Sequence, residues 1–292
     1  MNWSVESRTF VPVAFLAALV LAVAPTLVPW PLQLALLALG VVVLGLPHGA
    51  LDPATAEEAK LIHSRTSWLI FNTAYTLVAV AVIGLWWLFP VLTLALFLAV
   101  SAWHFSGDWR FVLPSWAQWI GGAGLLMMPI VMHTPAVADI FTVLSGPGGG
   151  ALAEFLAQAG WAVPALMLAA AVYAAAQKAW ASALELSGLV ALGSVAPPLV
   201  FFIVYFCLLH SPRHLREHFE ATARAQHPRL WRMLVMYTLA TLLLAFPLLW
   251  LWSGGELGET TLRLVFIGLA AVTVPHMLLM LYAESKTRST QC

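Results

Sequence analysis

The chain has 292 residues, of which 62% are hydrophobic and only 9% are charged. Soluble domains contain roughly 45 to 50% apolar and about 25% charged residues, so this composition excludes an ordinary soluble protein and predicts many membrane-spanning helices. Thirteen basic residues balance thirteen acidic ones, and without a positive net charge nothing predicts nucleic-acid binding. We expect residues 1–292 to form a single integral-membrane domain in the lipid bilayer.

Apolar runs long enough to cross a bilayer follow one another along the chain, since a spanning helix needs roughly 20 mostly apolar residues. They cover 10–28, 30–47, 68–89, 90–107, 115–133, 161–178, 184–209, 231–252 and 262–283. The stretch from Phe10 to Ala24 is predicted to belong to a retained span rather than to a cleaved signal peptide, because Pro25 and a second apolar run follow it directly. The runs together predict an all-α, polytopic helical bundle of about eight to ten helices.

Two segments interrupt this pattern. The glycine-rich stretch SGPGGGALAEF (145–155) lacks the GKS/T end of a phosphate-binding loop, so we interpret it as a flexible connector within a loop at 134–160. Pro197 and Pro198 lie inside the run 184–209 and remove backbone donors. They predict a broken or re-entrant pair of short helices there, and the helix count around them stays open.

Lysines and arginines indicate the orientation, because short cytoplasmic loops of membrane proteins are enriched in them. They follow the second and fourth runs, five arginines lie between 213 and 232, and Lys286 and Arg288 lie near the end. This distribution predicts a multi-pass protein of the plasma (inner) membrane with both termini in the cytoplasm.

Histidines lie at the ends of three apolar runs, and each has a polar partner four residues away. The pairs are His48 with Asp52, His104 with Asp108, and His210 with His214. Residues four apart share one helix face, about 5 to 6 Å apart, so a carboxylate there can hold a metal-bound imidazole in one tautomer. Ionisable residues at membrane depth are costly and mark functional sites. We therefore predict one shared, buried metal site near the cytoplasmic ends of these helices.

Four neutral imidazoles favour a borderline metal such as iron, copper, nickel or zinc. Four ligands on a six-coordinate ion leave two open positions, which suits iron(II) with dioxygen and an organic substrate better than a closed structural zinc site. Trp103, Tyr205 and Phe206 adjoin the histidines and predict a dry cavity for a long, flat, apolar substrate. The roles of His218 and His276 stay open, and His276 could line the cavity, bond to a neighbouring helix or complete the coordination.

Other classes of function remain compatible with these residues. A metal-ion transporter could use the broken helix and the intramembrane His and Asp residues. A membrane di-iron desaturase or hydroxylase is a second alternative, although the chain has no adjacent His-His pair. A bis-histidine haem protein is a weaker third.

The segments GLPHGALD, WHFSGD and HSPRH, in this order in a chain with many spans, resemble the Brp/Blh family of bacterial and archaeal integral-membrane carotenoid dioxygenases. The resemblance covers about residues 40 to 285. It implies an oxidoreductase that uses iron(II) and dioxygen to cleave β-carotene at its central 15,15' double bond, giving two molecules of all-trans-retinal, with a rhodopsin as the acceptor of the product.

The resemblance also implies which residues form the site. The histidines assigned to the metal in that family fall on four positions, and the acidic positions of the first two motifs fall on two more. These are His48, His104, His210 and His214 as ligands, and Asp52 and Asp108 behind them.

Overall fold

A computed structural model of the chain describes residues 3–251 and 254–289. Over these ranges the secondary structure is helical, which confirms the expected all-α fold. The helices are α1 (Val5–Val23), α2 (Trp30–Gly40), α3 (Leu46–Gly49), α4 (Asp52–Glu58), α5 (Arg65–Leu88), α6 (Pro90–Ser106), α7 (Ser115–Met132), α8 (Thr134–Ser145), α9 (Pro147–Ala159), α10 (Val163–Ala176), α11 (Trp180–Val195), α12 (Pro198–Tyr205), α13 (Ser211–Ala221), α14 (His227–Leu251) and α15 (Leu257–Ser289). Two π-helical segments, Val41–Gly45 and Phe206–His210, and two 3-10 turns, Gly107–Trp109 and Arg224–Gln226, complete them.

The chain is a multi-pass membrane protein. Among the described residues, six helices are long and apolar enough to cross a membrane, and there are up to eight spans if each of two bent helix pairs counts as one. The bent pairs are α7 with α8, at 106°, and α9 with α10, at 53°. Large apolar side chains on the outer helices are exposed, such as Leu77 on α5 and Leu243 on α14, and a bilayer would cover them.

Prolines and serines set several helix starts. Pro90, Pro135, Pro147 and Pro198 each occupy the first turn of a helix, where the missing N–H group has no intrahelical partner to lose. The start of α5 carries a reciprocal cap in which Ser64 and Ser67 each accept from the other's backbone N–H group.

The double proline breaks the run 184–209, as expected. Helix α11 ends at Val195 and α12 begins at Pro198. The chain then continues without interruption through α12, the second π-helical segment and α13, and residues 198–221 are together long and apolar enough to form one span.

The prediction of a flexible connector at 145–155 is wrong, because Ser145 ends α8 and residues 147–155 belong to α9, and these two helices pack side by side. Only Gly146, between them, has a positive φ, of 76°. The other glycines bring the helices into close contact. A Cβ atom on Gly149 would overlap the Phe141 carbonyl of α8, and one on Gly150 would lie 2.7 Å from Thr142 Oγ1.

Candidate metal centre

The two π-helical segments lie directly before histidines of the predicted site. The first precedes α3, which carries His48, and the second ends on His210. A proline, Pro47 or Pro212, lies two residues after the last residue of each segment. A proline donates no backbone hydrogen bond, and its ring crowds the carbonyl four residues earlier. This opens the helix locally, and π-turns of this kind are frequent at functional sites.

The two segments pack against each other. A Cβ atom on Gly45 would lie 2.6 Å from a ring carbon of Phe206, so only glycine allows this approach. The hydroxyl of Ser211 donates to the Leu44 carbonyl. The contact holds the helix of His48 beside the helix of His210 and His214.

Three imidazoles meet at the centre of the site. His104 lies in the last turn of α6, His210 ends the second π-helical segment, and His214 lies one turn further on α13. Nε2 of His104 lies 3.1 Å from Nε2 of His210, and one ligand nitrogen from each ring lies within 4.8 Å of the others. The rings of His210 and His214 have centroids 4.5 Å apart. These three residues are arranged as the nitrogen donors of one metal ion would be.

The carboxylate of Asp108 lies beside two of the three imidazoles, those of His210 and His214. This fully buried carboxylate lies 3.1 and 3.2 Å from Nδ1 of His210 and accepts a 2.5 Å hydrogen bond from the Tyr205 hydroxyl. Nε2 of His214 lies 3.6 Å from the same carboxylate. With its Nδ1 proton donated to Asp108, His210 presents the lone pair of Nε2 towards His104, which is the tautomer a metal ligand needs.

This partner differs from the one that the spacing of four predicts. An uninterrupted helix would place Asp108 beside His104, but α6 ends at Ser106 and residues 107–109 form a 3-10 turn. The turn carries the carboxylate across to α13.

Asp52 lies against a further imidazole, that of His276 on α15. Its carboxylate accepts from Nδ1 of His276 at 2.7 Å and from the Tyr75 hydroxyl at 2.7 Å. Tyr75 also lies 3.1 Å from the Val272 carbonyl of α15. The rings of His276 and His104 have centroids 5.3 Å apart, so this second carboxylate–imidazole pair lies at the edge of the histidine cluster.

The other predicted residues take distinct positions. The side chain of His48 lies outside the described part of the structure. Phe206 stacks on His210 with ring centroids 5.5 Å apart. The Tyr205 hydroxyl donates to Asp108, and Tyr205 lines neither of the two cavities described below.

Trp103 is half-buried on α6, and Phe105 is the α6 residue that packs edge-on against His210. His218 is half-buried on α13, one turn beyond the three-histidine cluster.

Sequence reasoning missed a buried ion network behind the centre. Glu185, on α11, accepts from Arg213 at 2.7 Å, from the Trp109 indole at 3.0 Å and from the Ser7 hydroxyl at 2.5 Å. Arg213 also donates to the Asp108 carbonyl at 2.8 Å. The network ties α1, α11 and α13 to the turn that carries Asp108. Its signal in the sequence was a carboxylate inside an apolar run, which is rare unless it is paired.

A second ion pair extends the network to the first helix. Glu6 is buried and accepts from Arg216 at 3.0 Å, while Arg213 Nε lies 3.5 Å from the same carboxylate. Helix α1 is therefore held to α13 by charge.

Two apolar cavities flank the centre. The first, of about 120 Å³, lies among α6, α7, α8, α12 and α15, and its wall includes His104, Phe105 and Phe206. The second, of about 270 Å³, lies among α5, α14 and α15, and its wall includes Asp52, Tyr75 and His276. Leu269 and Thr273 of α15 line both cavities.

These features define a class: a multi-pass helical membrane protein with a histidine cluster suited to a metal ion and set between apolar cavities. Comparison with known proteins identifies the family. The family model described as "Beta-carotene 15,15'-dioxygenase" matches residues 39–283. A "Beta-carotene 15,15'-dioxygenase" from an uncultured marine bacterium (66A03) is 31% identical over 259 residues, which cover 82% of this chain and 90% of that relative. No solved structure matches. The chain belongs to the beta-carotene 15,15'-dioxygenase family, a family of oxygenases.

Proposed function

We propose that this protein cleaves β-carotene at its central 15,15' double bond with dioxygen and gives two molecules of all-trans-retinal. Each carbon of the broken bond receives one oxygen atom, so substrate, dioxygen and products balance. The observation that carries the proposal is the cluster of His104, His210 and His214, with His210 buried and the other two half-buried, between two apolar cavities in a chain of this family.

The donor set supports iron(II) as the metal. His104, His210 and His214 would hold it, and we assign His48 as the fourth ligand on the family motif. An ion with four imidazole ligands keeps positions open for dioxygen, and when bound it supplies the oxygen chemistry. Three imidazole nitrogens within 4.8 Å of one another, one of them oriented by a buried carboxylate, fit such an ion.

The protein's own residues orient the ligands and keep water away. Asp108 holds His210 through Nδ1, and the Tyr205 hydroxyl holds Asp108 in place. Phe105 and Phe206 pack on two sides of the His210 imidazole, with ring centroids 4.8 and 5.5 Å away. The walls thus offer a hydrocarbon substrate an apolar surface, and the polar atoms are turned towards the ligands.

A matched pair of variants on α13 tests this function. We expect a bacterium that accumulates β-carotene to lose its colour and form retinal, measured by chromatography, when it expresses the chain with iron supplied. His214→Ala should abolish retinal formation, whereas His218→Ala, one turn further along the same helix, should retain it. Cells that keep their carotene although the wild-type protein is present in the membrane would contradict the proposal.

The cellular setting follows from substrate and charge. β-Carotene dissolves in lipid, which favours a multi-pass enzyme of the plasma (inner) membrane, and the positions of lysine and arginine favour cytoplasmic termini. A rhodopsin is the acceptor we propose for the retinal. Cysteine labelling at each terminus in intact cells would test the orientation.

A further inference from the structure

The two apolar cavities share one face of α15 as a wall. Leu269 and Thr273, four residues apart and therefore on the same helix face, belong to the walls of both. His104 lines the first cavity and His276 the second, and their rings have centroids 5.3 Å apart. The cavities therefore lie on either side of the histidine cluster.

Neither cavity is large enough for a whole carotenoid. Their volumes of about 120 and 270 Å³ lie below the ~300–1,000 Å³ that is usual for sites of drug-sized ligands. A carotenoid is longer than such ligands, so it must occupy more than one of these spaces or widen one of them greatly.

The second cavity opens towards lipid. Val80 of α5 and Leu244 of α14 belong to its wall and yet are 59% and 63% exposed. The two helices are linked where the Trp68 indole donates to the Tyr237 hydroxyl at 2.9 Å. Beyond that link the space between them faces the bilayer, which is where a hydrocarbon substrate is dissolved.

We propose that the two cavities receive the two halves of one polyene, which lies across Leu269 and Thr273 with its central double bond beside the histidine cluster. The identity of the substrate rests on the proposed function. On this assignment the position of cleavage is set by which double bond lies beside the cluster when both cavities are occupied, and the first, smaller cavity widens to admit its half of the polyene.

Narrowing each cavity separately tests the assignment. Leu98→Trp adds bulk to the first cavity and Ala240→Trp to the second, since each residue belongs to one wall only. The matched controls are Leu96→Trp on α6 and Leu243→Trp on α14, whose side chains are 56% and 74% exposed and line neither cavity. The ligands are β-carotene and a β-apocarotenal, in which one end of the polyene is shortened.

Binding is measured on metal-depleted protein purified in detergent, by extracting the retained carotenoid and quantifying it by chromatography against protein-free micelles. Each cavity variant should lose β-carotene roughly tenfold or more, because overfilling a packed site costs about that much in affinity. Each should still retain the β-apocarotenal, whose shortened end fits the narrowed side, and this retention also shows that the variant is folded. Both controls should retain both compounds.

Three results would overturn the assignment. One cavity variant that retains β-carotene as its control does would place the whole substrate in the other cavity. If one variant alone lost both β-carotene and the β-apocarotenal, the whole substrate would lie in the cavity that this variant narrows. If each of the two variants lost both compounds, the shortened end of the β-apocarotenal would not fit a narrowed cavity as the assignment requires.

Because the binding experiment uses metal-depleted protein, it measures carotenoid binding without turnover. Wild-type protein that retains β-carotene but forms no retinal with iron and dioxygen would contradict the proposed function and leave the two-cavity assignment standing.

Discussion

Replacing Asp108 with asparagine tests the orientation of the metal ligands. The two side chains have nearly the same shape, so Asp108→Asn keeps the packing of this fully buried side chain and removes its negative charge. In the wild-type protein the Asp108 carboxylate accepts from Nδ1 of His210 at 3.1 Å and from the Tyr205 hydroxyl at 2.5 Å, and it lies 3.6 Å from Nε2 of His214.

The expected loss can be worked from these contacts. A hydrogen bond to a charged group contributes about 1.5–3 kcal/mol, and removing the partner of a ligating histidine typically costs ~10–100-fold in metal affinity or activity. The asparagine oxygen can still accept from His210, so we expect a loss near tenfold for that bond alone. The weakened hold on His214 would bring the loss closer to 100-fold.

The assay separates metal binding from turnover. Iron affinity is measured by competition with a chelator, and retinal formation is measured with iron at saturation. Tyr205→Phe is the milder companion, because it removes one donor to Asp108 and leaves the carboxylate on His210. We expect its effect to be smaller than that of Asp108→Asn. Iron affinity and turnover both unchanged in Asp108→Asn would refute the orienting role of this carboxylate.

Three further outcomes follow from the structure. Glu185→Leu leaves the buried guanidinium of Arg213 without its closest carboxylate, so the free energy of unfolding should fall by about 3–5 kcal/mol in thermal melts. Gly122→Val should lower the yield of folded protein and its melting temperature, because a Cβ atom there overlaps the backbone of α6 at Ala102. Gly84→Val, on α5 with open space beside it, is its control. With ¹⁸O-labelled dioxygen, each retinal should carry one labelled oxygen when quenched before exchange with water.

Each of these outcomes can fail in a recognisable way. Melting curves of Glu185→Leu that match wild type would show that the ion network does not hold the turn of Asp108. Equal melting temperatures for Gly122→Val and Gly84→Val would contradict the close contact of α6 with α7. Label in only half of the retinal would indicate that water supplies the second oxygen atom.

The spans at residues 5–23, 65–88, 90–109, 224–249 and 257–283 could be predicted because hydropathy along one helix does not depend on its neighbours. The run 30–47 gives only a shorter apolar helix at Trp30–Gly45, and the run 184–209 is divided. The break at Pro197 and Pro198 was predictable for a similar reason, since a proline lacks its backbone donor in any context. The glycine-rich segment failed because composition does not distinguish a flexible glycine from one that allows two helices to touch. That Gly149 allows two helices to touch is visible only from its close contact with Phe141 in the folded protein.

The histidine motifs predicted three imidazoles that the structure brings together, those of His104, His210 and His214, but not that Asp108 would hold His210. Asp108 meets His210, which is 102 residues away, because a 3-10 turn redirects it. Asp52 meets His276 on the last helix. Such pairs depend on how helices cross, and the spacing of residues within one helix carries no information about that crossing. Glu185 was detectable as an isolated carboxylate in an apolar run, although its partner Arg213 was not.

The most direct test of the account is the product ratio of purified, iron-loaded protein given β-carotene and dioxygen. We predict two molecules of retinal for each β-carotene consumed, and no product from the same protein without iron. Apocarotenals of unequal length, or an undiminished yield of retinal after iron is removed, would contradict central cleavage at a metal held by these histidines.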